Sequence, residues 1–161
     1  MHVWTLKKWA GFYDLSNPNH RTGVRLRIDK NVHSEVKRAC IVFLKWLRTE
    51  YFFPIRIPIY IKSTKYIRAK DGELVSAVCF LPDEKDVEPY IRIAVGDFNE
   101  LLLQRGQDNA LAAILGSIVH ELTHYYQWVN EVQLTYKGAE RQATIYKRFI
   151  LGEYAKTREH L

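Results

Sequence analysis

The sequence predicts an α+β domain in which helices cover a twisted sheet of four or five strands. Several short segments alternate apolar and polar residues, which is typical of strands with one exposed face. Longer segments repeat apolar residues every three or four positions, which is typical of helices packed on a core. The segments follow the order strand, helix, three or four strands, helices. We therefore expect a mixed or mainly antiparallel sheet, followed by the helices that carry the chemistry.

Length and composition indicate one folded domain over residues 1–161. The chain is 47% hydrophobic and 13% aromatic, which excludes a disordered protein. No apolar run approaches the ~20 residues that a membrane span needs. The first ten residues also lack the continuous apolar core of a signal peptide. We expect a cytoplasmic protein that does not enter a membrane.

The net charge and the two cysteines give only general information about binding partners and thiol chemistry. A net charge of +6 could support weak association with nucleic acid. The basic residues are scattered, however, so an ordinary solvated surface is the favoured interpretation. Cys40 and Cys79 lie in apolar segments without the spacing of a zinc knuckle, and we expect buried, reduced thiols.

The first half of the chain predicts an aromatic arm, a strand and a helix. Residues 1–23 are rich in Trp, Tyr, Asn and Gly, which indicates an irregular arm packed by its aromatic side chains. Val24–Ile28 alternates as a strand. Asp29 or Asn31 is expected to cap a helix that runs to about Tyr51 and covers the sheet.

The middle of the chain predicts the remaining strands. Residues 55–61 alternate, although Pro58 suggests a position near a sheet edge. Residues 65–68, 74–80 and 90–95 are the other strand candidates, and an acidic, turn-rich loop separates the last two. Either 74–80 or 90–95 could form an exposed edge. Asp97 is the expected cap of a short helix.

A strongly apolar helix follows this sheet. Its apolar stripe is expected to begin after a cap at Asp108 or Asn109, and Asn130 is the expected stop. The stripe comprises Leu111, Ile114, Leu115, Ile118, Val119 and Leu122. No charged residue other than Glu121 occurs over 110–130, so most of this helix should be buried.

Within this helix stands the pattern His120-Glu121-x-x-His124. Four residues correspond to about one helical turn, so both imidazoles lie on one face. That spacing allows two imidazole nitrogens to bind one zinc ion, with the glutamate beside them as a general base. The competing interpretation, two polar surface histidines, conflicts with the apolar character of the helix.

A catalytic zinc site needs a third protein ligand. Glu140 is the first candidate, because a second amphipathic helix, opened at Gly138, would return it to the histidines. A first-turn glutamate is also favoured by the helix dipole alone, without any metal. Glu153 and then His160 are the alternative third ligands. Glu131 lies just beyond the motif helix, in a poor position to fold back.

The string His-Glu-Leu-Thr-His-Tyr-Tyr-Gln, followed by Glu140-Arg-Gln-Ala143, resembles the zinc metallopeptidases called zincins. It is similar to the gluzincin arrangement, and to the small bacterial or phage metallopeptidases of the ImmA/IrrE type and the SprT-like group. The resemblance covers roughly residues 110–150. Thr144 stands where many gluzincins have Asp, the spacing to the third ligand is short, and a second downstream histidine cluster is lacking.

The resemblance implies a zincin-like fold with one zinc per chain, held by His120, His124 and Glu140. It implies a zinc-dependent endopeptidase in which zinc activates a water, Glu121 takes its proton, and an extended peptide or protein substrate pairs with an edge strand. Candidate oxyanion donors are Tyr125, Tyr126, Tyr146, His33 and, above all, Tyr136. Thr144 could support a ligating histidine through its hydroxyl.

Two other functions compete with the peptidase. One is a catalytically reduced zincin-like domain that binds a protein or DNA and uses zinc structurally. The other is an interaction module in which the histidine pattern is coincidental. The retained Glu121 favours the enzyme, because a structural zinc site has no chemical need for a general base.

Overall fold

A computed structural model describes residues 2–84 and 86–158 of the chain. It confirms an α+β fold. The strands are β1 (Val24–Ile28), β2 (Ile57–Lys62), β3 (Ile67–Arg68), β4 (Leu74–Val75), β5 (Ala77–Phe80) and β6 (Tyr90–Ala94). The helices are α1 (Ser34–Glu50), α2 (Phe98–Arg105), α3 (Gln107–Val129) and α4 (Tyr136–Arg158), after a short 3-10 turn at Lys8–Gly11.

Four strands form one mixed sheet in the order β1-β2-β6-β5. β1, β2 and β6 run parallel, and only β5 is antiparallel to its neighbour. The mixed sheet of four strands is confirmed, but a mainly antiparallel sheet is wrong. Helix α1 provides the crossover that lets β1 and β2 lie parallel. β3 and β4 pair separately as a small antiparallel hairpin.

Strand β5 forms one edge of this sheet, and β6 lies inside it. The edge therefore belongs to the segment 74–80, which divides at Ser76 into β4 and β5. Pro58 does not mark an edge, because β2 lies between β1 and β6. It is tolerated because it stands opposite Arg25 of β1, and pairing with β6 begins only at Ile59.

The helix ends differ from the predicted caps. His33 caps α1, and its side chain accepts a hydrogen bond from the backbone N–H of Glu35. Asp29 instead accepts from the backbone N–H of Ser63, which ties the ends of β1 and β2 together. α3 begins directly after Gly106, so Asp108 and Asn109 lie inside it. The stop at Asn130 is confirmed.

Helices α1 and α3 lie side by side on the sheet, and α4 packs along α3. The core between them consists of fully buried aliphatic and aromatic side chains. The largest are Phe43, Leu44, Leu47, Ile57, Ile59, Ile61, Ile91, Ile93, Ile118, Leu122, Tyr125 and Tyr126. This packing gives α3 a rigid support, so that side chains on its outer face are held in place.

The aromatic arm is confirmed over the residues described, and it fastens onto α3. Trp4 and Trp9 are buried. The indole N–H of Trp4 donates to Thr123 Oγ1, and the backbone N–H of Trp9 donates to Asn130 Oδ1. His20 lies 2.6 Å from the Pro54 carbonyl oxygen, away from the motif histidines.

Two further sequence expectations concern membranes and thiols. None of the helices within 2–84 and 86–158 is long and apolar enough to cross a membrane. Cys40 and Cys79 are both free thiols; Cys40 is buried in the core as predicted, whereas Cys79 is only partly buried. Burial raises the pKa of Cys40 to about 12, so this thiol stays protonated and unreactive at neutral pH.

Candidate metal centre

Helix α3 presents His120 and His124 on the face that it turns away from the core. Their ring centroids lie 5.1 Å apart, as expected for neighbours one helical turn apart. After a short connection, α4 packs along α3 and places Glu140 opposite both rings. The predicted return of a second helix to the motif is therefore what the structure shows.

The carboxylate of Glu140 contacts both histidines. Its Oε2 lies 2.9 Å from Nε2 of His120, and its Oε1 lies 3.0 Å from Nε2 of His124. The ligand atoms of the three residues all lie within 4.8 Å of one another. Donor atoms bound to one ion at about 2 Å are separated by roughly 3 Å, so these three residues could hold a metal ion.

Gln127 sets the proton position on His124. Its Nε2 donates to the Ala139 carbonyl oxygen at 3.1 Å and to Gln142 Oε1 at 2.9 Å, which fixes the orientation of the amide. Its Oε1 therefore faces Nδ1 of His124, 2.9 Å away, and must accept a hydrogen bond. The proton of neutral His124 then resides on Nδ1, and the Nε2 lone pair is free for a metal.

Burial also favours the neutral, ligating form of His120. The partly desolvated position lowers the pKa of its imidazole, and His124 lowers it further, while the contact with Glu140 opposes both effects. A metal binds only the deprotonated nitrogen, so a lowered pKa reduces competition from protons. The donor set is thus two imidazole nitrogens and one carboxylate.

Glu121 lies beside this cluster and lines the same cavity as His124 and Glu140. Burial raises the pKa of Glu121 to about 7; the negative Glu140 adds to this effect, and His124 opposes it. None of the described residues donates a hydrogen bond to its carboxylate. A carboxylate with these properties is suited to exchange a proton near neutral pH.

The cavity in front of the cluster has a volume of about 600 Å³. One wall is formed by α3 and the start of α4, and the other by β5 with the β3–β4 hairpin. Cys79 of β5 also lines the cavity, and burial together with the Glu121 carboxylate raises the pKa of this thiol. The cluster is therefore reached from the free edge of the sheet.

Several predicted supporting residues lie elsewhere. The hydroxyl of Thr144 donates to the Glu140 carbonyl oxygen of its own helix, so it supports neither histidine. Tyr125 and Tyr126 are fully buried, and their hydroxyls donate to the Ile55 and Phe52 carbonyl oxygens. These two tyrosines point into the core because they continue the apolar stripe of α3.

Tyr146 and His33 are also engaged outside the cavity. The Tyr146 hydroxyl accepts from the Val3 N–H, and His33 caps α1. Tyr136, the first residue of α4, does line the cavity.

The alternative third ligands do not join the cluster. Glu153 contacts Lys156 further along α4. Glu131 is exposed just beyond α3, in a left-handed backbone conformation with φ of 50°. His160 lies outside the described residues. Glu140 is therefore the carboxylate that the fold brings to the two histidines.

Sequence reasoning missed Gln127. A signal was available, because Gln127 stands three residues after His124 and so shares its helical face. An uncharged amide in an otherwise apolar helix also needs partners when it is buried, and Gln127 is 7% exposed. Those partners belong to α4, so the residues around Gln127 in the sequence do not identify them.

The sequence matches no family model and no curated protein. Its fold is similar to the solution structure of TM1509 from Thermotoga maritima, with a TM-score of 0.52 and 13% sequence identity. The alignment covers 84% of this chain and 93% of that protein. At this identity the similarity concerns the fold alone.

Proposed function

We propose that this protein is a zinc-dependent peptidase with a zincin-like, gluzincin-type site. The observation that carries the proposal is the convergence of His120, His124 and Glu140, with His124, Glu140 and the neighbouring Glu121 lining one open cavity. Two imidazoles and one carboxylate form the donor set of catalytic zinc sites in peptidases. Structural zinc sites are usually closed by four protein ligands, so a set of three ligands, two of which line an open cavity, favours catalysis.

Each residue of the site has a distinct task. His120 and His124 would hold zinc through Nε2, and Glu140 would hold it through its carboxylate. Zinc, when bound, would supply Lewis acidity toward the carbonyl and lower the pKa of water toward ~7. Gln127 would keep His124 in the tautomer that ligation requires.

Glu121 would carry the proton. Its carboxylate would accept a proton from the attacking water and pass it to the departing nitrogen, so that the C–N bond breaks with a neutral amine as leaving group and not an amide anion. In the metal-free site, burial raises the pKa of Glu121, and a bound zinc ion would oppose this shift and favour the carboxylate form that accepts the proton. Tyr136 is the cavity tyrosine available as an oxyanion donor.

Strand β5 would bind the substrate. It is a sheet edge, and the part of the chain that the structure describes provides no backbone partner on its outer side. An extended peptide can add to such an edge by main-chain hydrogen bonds. β5 and the motif helix form opposite walls of one cavity, so a peptide paired with β5 would pass in front of His124 and Glu140.

The test combines metal content with proteolysis. We expect about one zinc per chain in wild type and in Glu121→Gln, and cleavage of an unfolded test protein by wild type alone. Loss of the general base should lower the rate by about 10²–10⁴. Glu153→Gln is the matched control, because it removes a partly exposed carboxylate on α4 and should leave cleavage unchanged. Equal cleavage by Glu121→Gln and wild type would refute the general-base role.

A further inference from the structure

Three cations line the cavity next to the site. They are Arg68 and Lys70 of the β3–β4 hairpin and Arg92 of β6. All three are exposed, and none forms an ion pair with a carboxylate of the described residues. They are therefore available to a ligand.

Two of these cations rest on a pair of stacked aromatic rings. Phe80 and Tyr90 have centroids 5.0 Å apart. The Lys70 ammonium lies 4.5 Å from the Phe80 ring centroid, and the Arg92 guanidinium lies 4.5 Å from that of Tyr90. Cation–π contact restrains each side chain and keeps its charge at the cavity wall.

The charge of the cavity is not balanced by the protein. Glu121 and Glu140 are the carboxylates among its described lining residues. A divalent metal on two neutral histidines would offset both of these negative charges. Arg68, Lys70 and Arg92 would then remain as a net positive surface, which favours a negatively charged ligand.

The acidic loop that follows β5 does not cancel this surface. Asp86 and Glu88 line a different cavity, where Glu88 pairs with Arg56 at 3.2 Å. Neither Asp83 nor Glu84 is among the described residues that line the metal-site cavity. The described acidic residues of this loop are therefore separated in space from the three cations of the metal-site cavity.

The alternation of side chains along β5 indicates which side chains of a bound peptide would face the cations. Ala77 and Cys79 pair with buried residues of β6, on the face that packs against α3. Val78 and Phe80 pair with Arg92 and Tyr90 on the opposite face. A peptide added to β5 would also alternate, so one set of its side chains faces α3 and the other set faces the cations.

We propose that Arg68, Lys70 and Arg92 form a subsite for acidic side chains of a peptide bound along β5, so that the substrates are acidic peptides. This inference rests on the proposed peptidase function and names its substrate class. A peptide is favoured over single-stranded nucleic acid because cations already cover the Phe80 and Tyr90 rings, which are then unavailable for base stacking. The unpaired edge of β5 also matches a peptide backbone.

The test measures binding without hydrolysis. Zinc-loaded Glu121→Gln is titrated into two labelled decapeptides that are identical except for Glu or Gln at alternate positions. We expect the Glu peptide to bind about fivefold or more tightly at low salt, since each partly exposed ion pair contributes a few-fold. High salt should remove most of the difference.

Two variants in the Glu121→Gln background locate the effect. Adding Lys70→Gln and Arg92→Gln together should abolish the preference for the Glu peptide. Adding Lys45→Gln, which removes an exposed charge on α1, should leave the preference intact. Circular dichroism and zinc content verify that the variants are folded and loaded.

The outcomes distinguish this inference from the peptidase proposal. Equal binding of the two peptides, no measurable binding of either, or a preference that survives Lys70→Gln/Arg92→Gln would overturn the acidic subsite. Tighter binding of a single-stranded oligonucleotide, lost in the same double variant, would assign the cations to nucleic acid instead. A preference for the Glu peptide without cleavage by wild type would support the subsite and reject the peptidase. Cleavage by wild type without this preference would support the peptidase and reject the subsite.

Discussion

The two faces of α3 satisfy their polar groups in different ways. On the core side, the Tyr125 hydroxyl donates to the Ile55 carbonyl oxygen and accepts from the Ile55 N–H. Thr123 at the flank accepts from the Trp4 indole and donates to the Val119 carbonyl oxygen. These partners are backbone groups and buried side chains that belong to the fold itself.

On the outer side, His120 and His124 both contact Glu140, a residue of another helix, and His124 and Glu140 line an open cavity. A metal ion bound between Glu140 and the two histidines could replace these contacts without disturbing the core. One side of α3 is thus held by hydrogen bonds within the core, whereas the other side carries contacts that a metal ion could replace. Stability should reside on the core side, and metal affinity on the outer side.

The largest expected effect is the loss of metal in Glu140→Ala. Removing a ligand should weaken zinc binding by more than the 10–100-fold typical of residues that only orient ligands. Titration of the apoprotein with zinc against a competing chelator measures this. Glu153→Ala, on the same helix, should bind as wild type does. Retained affinity in Glu140→Ala would show that the outer face binds metal without α4.

Gln127→Ala should give the next largest effect. It removes the acceptor for His124 Nδ1–H, so zinc affinity should fall about 10–100-fold. Gln142→Ala is the matched control, because it removes one partner of Gln127 without touching His124. An unchanged affinity in Gln127→Ala would mean that His124 is oriented by packing alone.

Tyr125→Phe tests the core face directly beside His124. It leaves both polar groups of Ile55 without their buried partner, which should lower the free energy of unfolding by about 1–3 kcal/mol. Urea denaturation of the apoprotein measures this change. Tyr136→Phe, at an exposed tyrosine, should stay within ~0.5 kcal/mol of wild type. Zinc affinity should be unchanged in both variants. If Tyr125→Phe lowered zinc affinity as well as stability, the two faces of α3 would not be independent.

Gly116→Ala should have the smallest effect. Alanine favours a helix interior by about 1 kcal/mol over glycine. A Cβ at Gly116 would stand 2.9 Å from Lys147 Cδ, so this flexible side chain of α4 must shift. The two effects oppose each other, and we expect a change in unfolding free energy within ~1 kcal/mol. A loss above ~2 kcal/mol would show that the outer face also carries much of the stability.

Local patterns predicted the elements that the site needs. The periodicity of α3, the four-residue spacing of His120 and His124, and the placement of Glu140 in the first turns of a following helix all follow from the amino-acid sequence alone. The expected strands also occur close to their predicted positions. These features depend on neighbouring residues, and the repeat of a helix or strand relates such residues directly.

The predictions that were wrong concern relations between distant segments. The mixed sheet is mainly parallel and not mainly antiparallel, Pro58 lies in a central strand, and Thr144 does not support a histidine. Each depends on which segments pack together. A residue such as Thr144 can bond to its own helix backbone whenever the tertiary structure offers it nothing better.

The amino-acid sequence alone predicts that a mostly buried helix carries His120 and His124 on one face, with Glu121 beside them, because the repeat of the helix and its apolar residues can be read locally. Three features depend on how distant segments pack: Gln127 orients His124, β5 forms the sheet edge at the cavity, and Arg68, Lys70 and Arg92 share that cavity with the site. Strand order and helix–helix packing are selected by burial of the whole core, which no local repeat encodes.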